Sequence, residues 1–217
     1  MKKRIEINRD KLINEIIHID IKHRLHYMQE IIYAILDIHS QKICSFQKSI
    51  SYVNNNVPIP NNDSFTEDLT SFLENDIEMF DTYFNGIRSY TCVLMSQTIE
   101  VILRKIVWLR KEKSNKNRKT YFEMDYKDIK NEYNDLHVYS YDRLIEYNNI
   151  SIIREINNSF KHNENKVLKK LADLSPDFVE GEEILLTNIN IEIFLGATKA
   201  FCTKMAENRV RNILPQK

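Results

Sequence analysis

The chain has 217 residues with 31 basic and 31 acidic side chains, so its formal net charge at pH 7 is zero. A zero net charge excludes a global electrostatic attraction to nucleic acid, and any contact with RNA or DNA has to be local. Hydrophobic residues make up 42% and charged residues 29%, which is the balance of a globular rather than a disordered protein. Only three Gly and four Pro occur, and this scarcity favours helices over sheets, whose tight turns need such residues.

The cysteines and the apolar runs bear on the compartment. Cys44, Cys92 and Cys202 are isolated and odd in number, without the CxxC spacing of a zinc or redox site. They favour a reducing compartment, and we expect a cytoplasmic protein. Residues 1–7 begin like a signal peptide, but polar residues from Asn8 to Lys11 interrupt that pattern. Since no run of 18 apolar residues occurs, we expect no membrane segment.

A three-four spacing of apolar residues predicts a first long helix over residues 8–53. We expect one amphipathic stripe to face the core. Its members are Leu12, Ile16, Ile17, Ile21, Leu25, Met28, Ile32, Ile35, Ile38, Cys44, Phe46, Ile50 and Val53. A loop is predicted over residues 54–63, where Pro58 and Pro60 force extended backbone on the residues that precede them.

A second long helix is predicted to open with a capping box, formed by Ser64 and Glu67. Gly86 lies inside this helix and predicts a kink or a close helix contact. The apolar stripe of the helix comprises Phe65, Leu69, Phe72, Leu73, Ile77, Phe80, Phe84, Ile87, Tyr90, Leu94, Ile102 and Ile106.

The rest of the chain divides into shorter segments. They are a charged connection over 111–126, a helix over 126–136, a helix over 141–161, a loop over 171–187 with a small extended segment at 183–186, and a last helix over 188–214 that Pro215 ends. We therefore expect an all-α fold and a single domain over residues 1–217. Two long antiparallel helices carry the shorter helices, and the bundle spans residues 64–214.

Residues 152–163 combine charged and polar side chains with apolar helix positions. On a helix, Arg154, Asn158 and His162 are successive i, i+4 neighbours, and Lys161 lies beside that row. A helix face of this composition is able to bind a phosphate and to move a proton.

This row resembles the HEPN superfamily, which comprises small helical bundles in bacterial toxins, phage-defence proteins and CRISPR-linked ribonucleases. The family motif is an Arg and a His on a late helix, with four to six residues between them, often with Asn directly after the Arg. Here seven residues separate Arg154 from His162, and Glu155 follows the Arg. Supporting features are an upstream helix over 96–107 that includes Glu100, and a closing helix after a short extended piece.

The resemblance implies metal-independent RNA cleavage that leaves a 2′,3′-cyclic phosphate, with no cofactor. His162 is expected to act as general base or acid. Arg154 and Lys161 are expected to stabilise charge on the phosphorane, and Asn158 to orient His162 or the phosphate. In this family two copies of the helix form one site, so the resemblance implies a homodimer. A toxin or phage-defence role implies an antitoxin or defence partner protein.

Another interpretation of this segment stays open. The segment could be the exposed end of a helix, capped by its asparagines, with Lys161 and His162 placed favourably at the negative end of the helix dipole. The protein would then be a non-catalytic helical interaction or regulatory module.

Two further groups of residues are weaker candidates. His18, His23 and His26 with Asp20 have partial metal-ligand spacing, but they are better explained as residues of a polar face. The stretch 104–119 holds eight basic residues and Trp108, a pattern that can steer RNA and stack a base. A solvated helix end and a core Trp108 are the commoner explanation.

Overall fold

A computed structural model describes residues 9–56, 63–111 and 118–211. Within these ranges the chain is all-α and has no strand, as predicted, apart from two isolated β-bridges. The helices are α1 (Arg9–Asn56), α2 (Asp63–Arg110), α3 (Arg118–Glu123), α4 (Tyr126–Leu136), α5 (Tyr147–His162), α6 (Lys169–Leu174) and α7 (Asn188–Glu207). The prediction of two long helices with shorter helices packed on them is confirmed.

The two long helices, α1 and α2, lie side by side in antiparallel orientation. Thr70 near the start of α2 hydrogen-bonds Asn54 near the end of α1. At the other end of the pair, Lys105 contacts Asp20, with 2.6 Å between Nζ and Oδ1. The helices α1, α2, α5 and α7 follow one another around the bundle, so that α1 and α5 both pack on α2 and α7. One hydrophobic core lies between them.

Helix α1 has two apolar faces, where a single stripe was predicted. The buried face carries Ile17, Ile21, Leu25, Met28, Ile32 and Leu36. The prediction was wrong for four residues that are exposed to solvent, which are Leu12, Ile16, Ile38 and Cys44. The physical reason is that α1 lies at the edge of the bundle, where α2 and α7 cover only one side of it.

Helix α2 runs from Asp63 to Arg110, and it starts two residues before Phe65, the first helical residue that a capping box at Ser64 predicts. The predicted close contact at Gly86 is wrong, because a Cβ atom placed there meets no atom within 4 Å. Three predicted core residues of this helix, Phe72, Ile87 and Tyr90, are exposed. Residues 57–62, with Pro58 and Pro60, lie outside the described ranges.

The helix predicted over residues 141–161 is divided. Tyr141–Arg143 form a 3-10 turn, and Glu146 has left-handed backbone with φ of 66°, so that α5 starts only at Tyr147. Ile145, which lies within the predicted helix, is exposed. The break follows from Tyr141, which is fully buried and packs edge-on against Phe201 of α7 with 4.8 Å between ring centroids.

The predicted extended segment at 183–186 forms one β-bridge, between Lys166 and Glu183, and is held against α2 by a single amide. The Asn85 side chain donates to the Ile184 carbonyl over 2.6 Å and accepts from the Leu186 amide over 2.8 Å. An α2 side chain therefore takes the place of a neighbouring strand.

Helix α7 starts at a capping box, in which the Thr187 hydroxyl accepts from the Asn190 amide. It ends at Glu207 rather than at residue 214, and Val210, which lies within the predicted helix, is exposed in a bridge to His137. Pro215 lies outside the described residues. None of the described helices contains a stretch long and apolar enough to cross a membrane.

Candidate nucleic-acid and catalytic site

Helix α5 presents the predicted polar row on the side that faces away from its packing partners. Ile150, Ile153 and Ile156 are buried against the core. At about 100° per residue, the row of Arg154, Asn158, Lys161 and His162 occupies an arc about 100° wide on the opposite side. Arg154 and Asn158 are half-buried, and Lys161 and His162 are exposed. We call these four residues the α5 row.

Arg154 is held in place by an aromatic ring. Its guanidinium carbon lies 3.3 Å from the centroid of the Tyr126 ring, which belongs to α4. Burial raises the pKa of Tyr126, so its phenol stays neutral and its ring acts as an apolar platform. Within the described part of the chain, Arg154 makes no salt bridge, so its positive charge is not neutralised by a carboxylate. The free edge of the guanidinium is therefore available to an anion.

Glu155, which follows the arginine, points sideways rather than into the row. Its carboxylate is buried and pairs with Lys170 of α6. The same carboxylate accepts a hydrogen bond of 3.1 Å from the side-chain amide of Asn158. The amide expected to orient His162 or a phosphate is therefore directed towards Glu155.

His162 is the last residue of α5, and the helix end is an ordered turn. The Ser159 carbonyl accepts hydrogen bonds from the amides of Asn163 and Asn165, over 2.9 Å and 3.3 Å. Glu164 and Asn165 have left-handed backbone, with φ of 48° and 63°. Asn163 therefore forms a cap, as the interpretation of an exposed helix end predicts. His162, the residue before it, is exposed to solvent.

One chain does not bring Arg154 and His162 together. Eight helical steps at 1.5 Å each separate their backbones by about 12 Å along the axis. The row therefore has a cation held over a ring at one end and an imidazole at the other. A second copy of the helix in antiparallel orientation would place the Arg154 end of one copy beside the His162 end of the other.

Two polar groups behind the row are buried without hydrogen-bond partners. Asn157 donates from its amide to the Ser96 hydroxyl of α2 over 3.3 Å, but its Oδ1 atom has no partner. The Ser159 hydroxyl is also buried and unpaired. The upstream helix that supports the resemblance, residues 96–107, lies in the second half of α2, which packs on α5.

The basic stretch of 104–119 is mostly used inside the fold. Arg104 is buried and donates to Glu100 and to the carbonyls of Tyr121 and Met124. Lys105 pairs with Asp20, Lys111 pairs with Glu132, and Trp108 packs against the core. Residues 112–117 lie outside the described ranges. These contacts leave little of the described stretch to steer RNA.

Arg110, in the same stretch, ties the end of α7 to α2. Its guanidinium donates to the carbonyls of Ala206 and Asn208, the latter over 2.8 Å. It also lies 2.6 Å from Nε2 of His137. Free carbonyls at the end of a helix attract cations, so Arg110 acts as a cap for α7.

The histidines near the start of α1 are not arranged as a metal site. His18, His23 and His26 are exposed. Asp20 is occupied by Arg24 and Lys105. Burial raises the pKa of Asp20, but the hydrogen bonds from Lys105 and Arg24 outweigh it and hold the pKa below its usual range. Among the described residues, no group of three or more His, Cys, Asp or Glu is placed to bind a metal ion.

A polar junction joins α1, α2 and α7 at the other end of the bundle, and the sequence analysis did not predict it. We define it by His39, Asp81, Arg88 and Asn188. His39 Nε2 lies 2.9 Å from Asp81 Oδ1, and Arg88 donates to the same oxygen over 2.8 Å. Arg88 also donates to Asn188 Oδ1 over 2.9 Å.

Both ring nitrogens of the junction histidine have partners. Because Asn188 accepts from Arg88 through Oδ1, its Nδ2 group faces His39 Nδ1 at 3.2 Å. His39 Nε2 lies 2.9 Å from Asp81 Oδ1, which accepts, and 3.0 Å from Arg88 Nη2, which donates. Both ring nitrogens are occupied, so the junction is suited to holding helices together rather than to proton transfer. One signal in the sequence was that His39 continues the three-four spacing of the buried α1 face. A polar residue at a buried position of this kind has hydrogen-bond partners.

Comparison with known proteins gives no family assignment, because no protein-family model, no curated protein and no solved structure matches this chain. The function therefore has to be inferred from the side chains themselves.

Proposed function

We propose that this protein is a metal-independent endoribonuclease of the HEPN type, which acts in the cytoplasm as a toxin or phage-defence effector. The observation that carries the proposal is the α5 row, where Arg154, Lys161 and His162 share one arc of a rigid helix without a neutralising carboxylate among the described residues. The only acid of the segment, Glu155, is buried and paired with Lys170.

The chemistry follows from the residue types. The 2′-hydroxyl of the RNA loses its proton to His162, and its oxygen attacks the adjacent phosphorus. The bond from phosphorus to the 5′-oxygen breaks, the 5′-oxygen takes up a proton, and a 2′,3′-cyclic phosphate remains. Arg154 stabilises the extra negative charge on the phosphorane, because its guanidinium is already positioned by Tyr126 and needs no reorganisation.

A complete site needs two copies of the row. The separation of about 12 Å between Arg154 and His162 leaves one chain with an incomplete site. In a homodimer that pairs two α5 helices, each phosphate meets an Arg154 from one subunit and a His162 from the other. An isologous contact of this kind forms two equal sites.

Alanine variants of the row test the proposal. Arg154→Ala and His162→Ala should each lower RNA cleavage, or toxicity in cells, by at least about 100-fold, as expected for a lost acid–base or charge-stabilising group. Arg143→Ala and His26→Ala are matched controls, because they remove an exposed arginine and an exposed histidine elsewhere. The controls should cleave as the wild type does, and all four variants should keep its helicity.

The same assay separates this mechanism from metal-dependent cleavage. Activity should persist in EDTA and disappear when the RNA carries a 2′-deoxy or 2′-O-methyl ribose at the cut site. If EDTA and His23→Ala both stop cleavage, the histidines of α1 form the active site and the proposal is wrong.

A second candidate is a non-catalytic interaction module, such as a regulatory subunit or the sensor half of a defence pair. It is favoured by the amide of Asn158, which is bonded to Glu155 rather than free in the row. Under this alternative the wild type cleaves no RNA, and the row variants change only the binding of a partner such as an antitoxin.

A further inference from the structure

The side of α1 that faces away from the core carries a second stripe of apolar residues. We call this set the outer stripe, and its members are Leu12, Ile16, Ile19, His23, Tyr27, Ile31, Ala34 and Ile38. All eight are exposed, and the six large apolar side chains keep between 39% and 69% of their surface in solvent. Monomers rarely expose apolar surface in one continuous line.

Helix geometry places the outer stripe well away from the bundle. At about 100° per residue, its members occupy an arc about 120° wide, centred about 150° around the helix from the buried face. It extends over 26 steps of 1.5 Å, or about 39 Å. A second helix can therefore lie along it without meeting the rest of the subunit.

The spacing of the outer stripe is a palindrome. Successive members are 4, 3, 4, 4, 4, 3 and 4 residues apart, which reads the same in both directions from Leu25. Steps of three and four are the pattern by which helices pack in coiled coils. A palindromic pattern is matched in full by an identical helix that runs in the opposite direction.

We propose that α1 is a dimerisation helix, which pairs in antiparallel orientation with α1 of a second copy across a two-fold axis that passes between His23 and Tyr27. Each residue of the outer stripe then faces a residue of the partner subunit, and the two residue numbers add up to 50. Leu12 meets Ile38 of the partner subunit, and Ile19 meets Ile31 of the partner subunit. Near the axis, His23 meets Tyr27 of the partner subunit.

The side chains of the outer stripe expose roughly 600–800 Å² per subunit, which is the upper limit of the area that a partner helix can bury, against about 800 Å² per partner in a standard interface. Glu30 and Asp37 lie within the arc of the stripe. The charged residues in and beside the stripe have both signs, unlike the basic flank of a helix that binds membranes. Glu30 faces Asp20 of the partner subunit, whose charge is compensated by Arg24 and Lys105.

This contact is separate from the one that the proposed ribonuclease site needs. Helices α1 and α5 pack on α2 and α7 from different sides of the bundle. A dimer through α1 therefore leaves the α5 row exposed, and either proposal can fail without the other.

Sedimentation of the full chain at micromolar concentration tests the dimer. The wild type should sediment at twice the mass of one 25.9 kDa chain if α1 alone pairs, and at a larger multiple if α5 pairs as well. Ile19→Glu and Ile31→Glu should each lower this mass, to one chain in the first case and to the α5 dimer in the second, with unchanged helicity, because each places charges in the centre of the interface. Ile145→Glu is the matched control, since Ile145 is equally exposed but lies outside α1. A monomeric wild type, or an assembly whose mass is unchanged in both outer-stripe variants, overturns the proposal.

Cysteine cross-linking tests the orientation. In a Cys44→Ser background, which removes the exposed thiol, Ile19→Cys and Ile31→Cys proteins are oxidised separately and as a mixture. Antiparallel pairing predicts a cross-linked dimer only in the mixture. Cross-linking of Ile19→Cys with itself overturns the antiparallel arrangement. Co-sedimentation of a monomeric wild type with phosphatidylglycerol vesicles, lost in Ile19→Glu, assigns the outer stripe to a membrane surface instead.

Discussion

His137 is a buried histidine that the fold keeps neutral. Its Nδ1 atom donates to the Tyr133 carbonyl over 2.8 Å, and its Nε2 atom accepts from Arg110. Burial, with the nearby charges of Arg110 and Arg211, lowers the pKa of His137 to about 4, although the Tyr133 carbonyl acts in the opposite direction. A protonated ring would lose the hydrogen bond from Arg110 and place two cations side by side.

The lowered pKa of His137 predicts a loss of stability in mild acid. Between about pH 6.5 and pH 4 the unfolded chain binds a proton that the folded chain does not, so the free energy of unfolding falls as the pH falls. A shift of this size corresponds to about 3 kcal/mol. Urea denaturation at pH 7.5, 6 and 5 should show this slope in the wild type and a smaller slope in His137→Gln. His162→Gln, at the exposed end of α5, is the control and should keep the wild-type slope.

At the scale of single elements, two glycines have opposite roles. Gly86 lies in the middle of α2, where a Cβ atom meets nothing within 4 Å. Gly181 has φ of 84° in the turn before the extended segment, and its amide donates to the Val167 carbonyl over 2.9 Å. Only the second position needs the conformational freedom of glycine.

The two glycines predict opposite effects of alanine. Gly86→Ala should raise the free energy of unfolding by about 0.5–1 kcal/mol, because alanine favours the helix and meets no clash. Gly181→Ala should lower it by about 1–2 kcal/mol, because left-handed backbone is strained for alanine. Thermal melting of both variants measures the difference. A stabilising Gly181→Ala would show that the turn has another conformation in solution.

At the scale of the whole molecule, the polar junction links parts of the chain that are far apart in sequence. Arg88 is buried and bridges Asp81 of its own helix to Asn188, which begins α7. Burial raises the pKa of Asp81, but the hydrogen bonds from Arg88 and His39 outweigh it and lower the pKa. Arg88 therefore holds α7 and the preceding extended segment against the long helices.

Arg88→Leu should therefore lower the free energy of unfolding by about 1–3 kcal/mol, since the buried His39 and the half-buried Asn188 lose a hydrogen-bond partner, whereas Asp81 is exposed to water. Urea denaturation measures it, and Arg143→Leu, at an exposed arginine, should change the free energy by less than about 0.5 kcal/mol. An equal effect of the two substitutions would show that the junction contributes little to stability.

The elements that depend on neighbours a few residues away could be predicted from the sequence alone. The bounds of α4, Tyr126 to Leu136, follow from local spacing and are confirmed. The arc shared by Arg154, Asn158 and His162 also follows from helical period alone. These features need no information about the rest of the chain, because a helix forms its backbone hydrogen bonds within four residues.

Packing between distant elements selects which of the two apolar faces of α1 is buried. It also places Arg104 and Arg110 in contacts within the fold, where they are not available to RNA. The same packing brings Tyr126 against Arg154 and His39 into a junction with Arg88. Each of these outcomes depends on a partner that lies 17 or more residues away in sequence. Which distant side chains meet is set by the packing of helices against one another, and the pattern along one helix does not encode it.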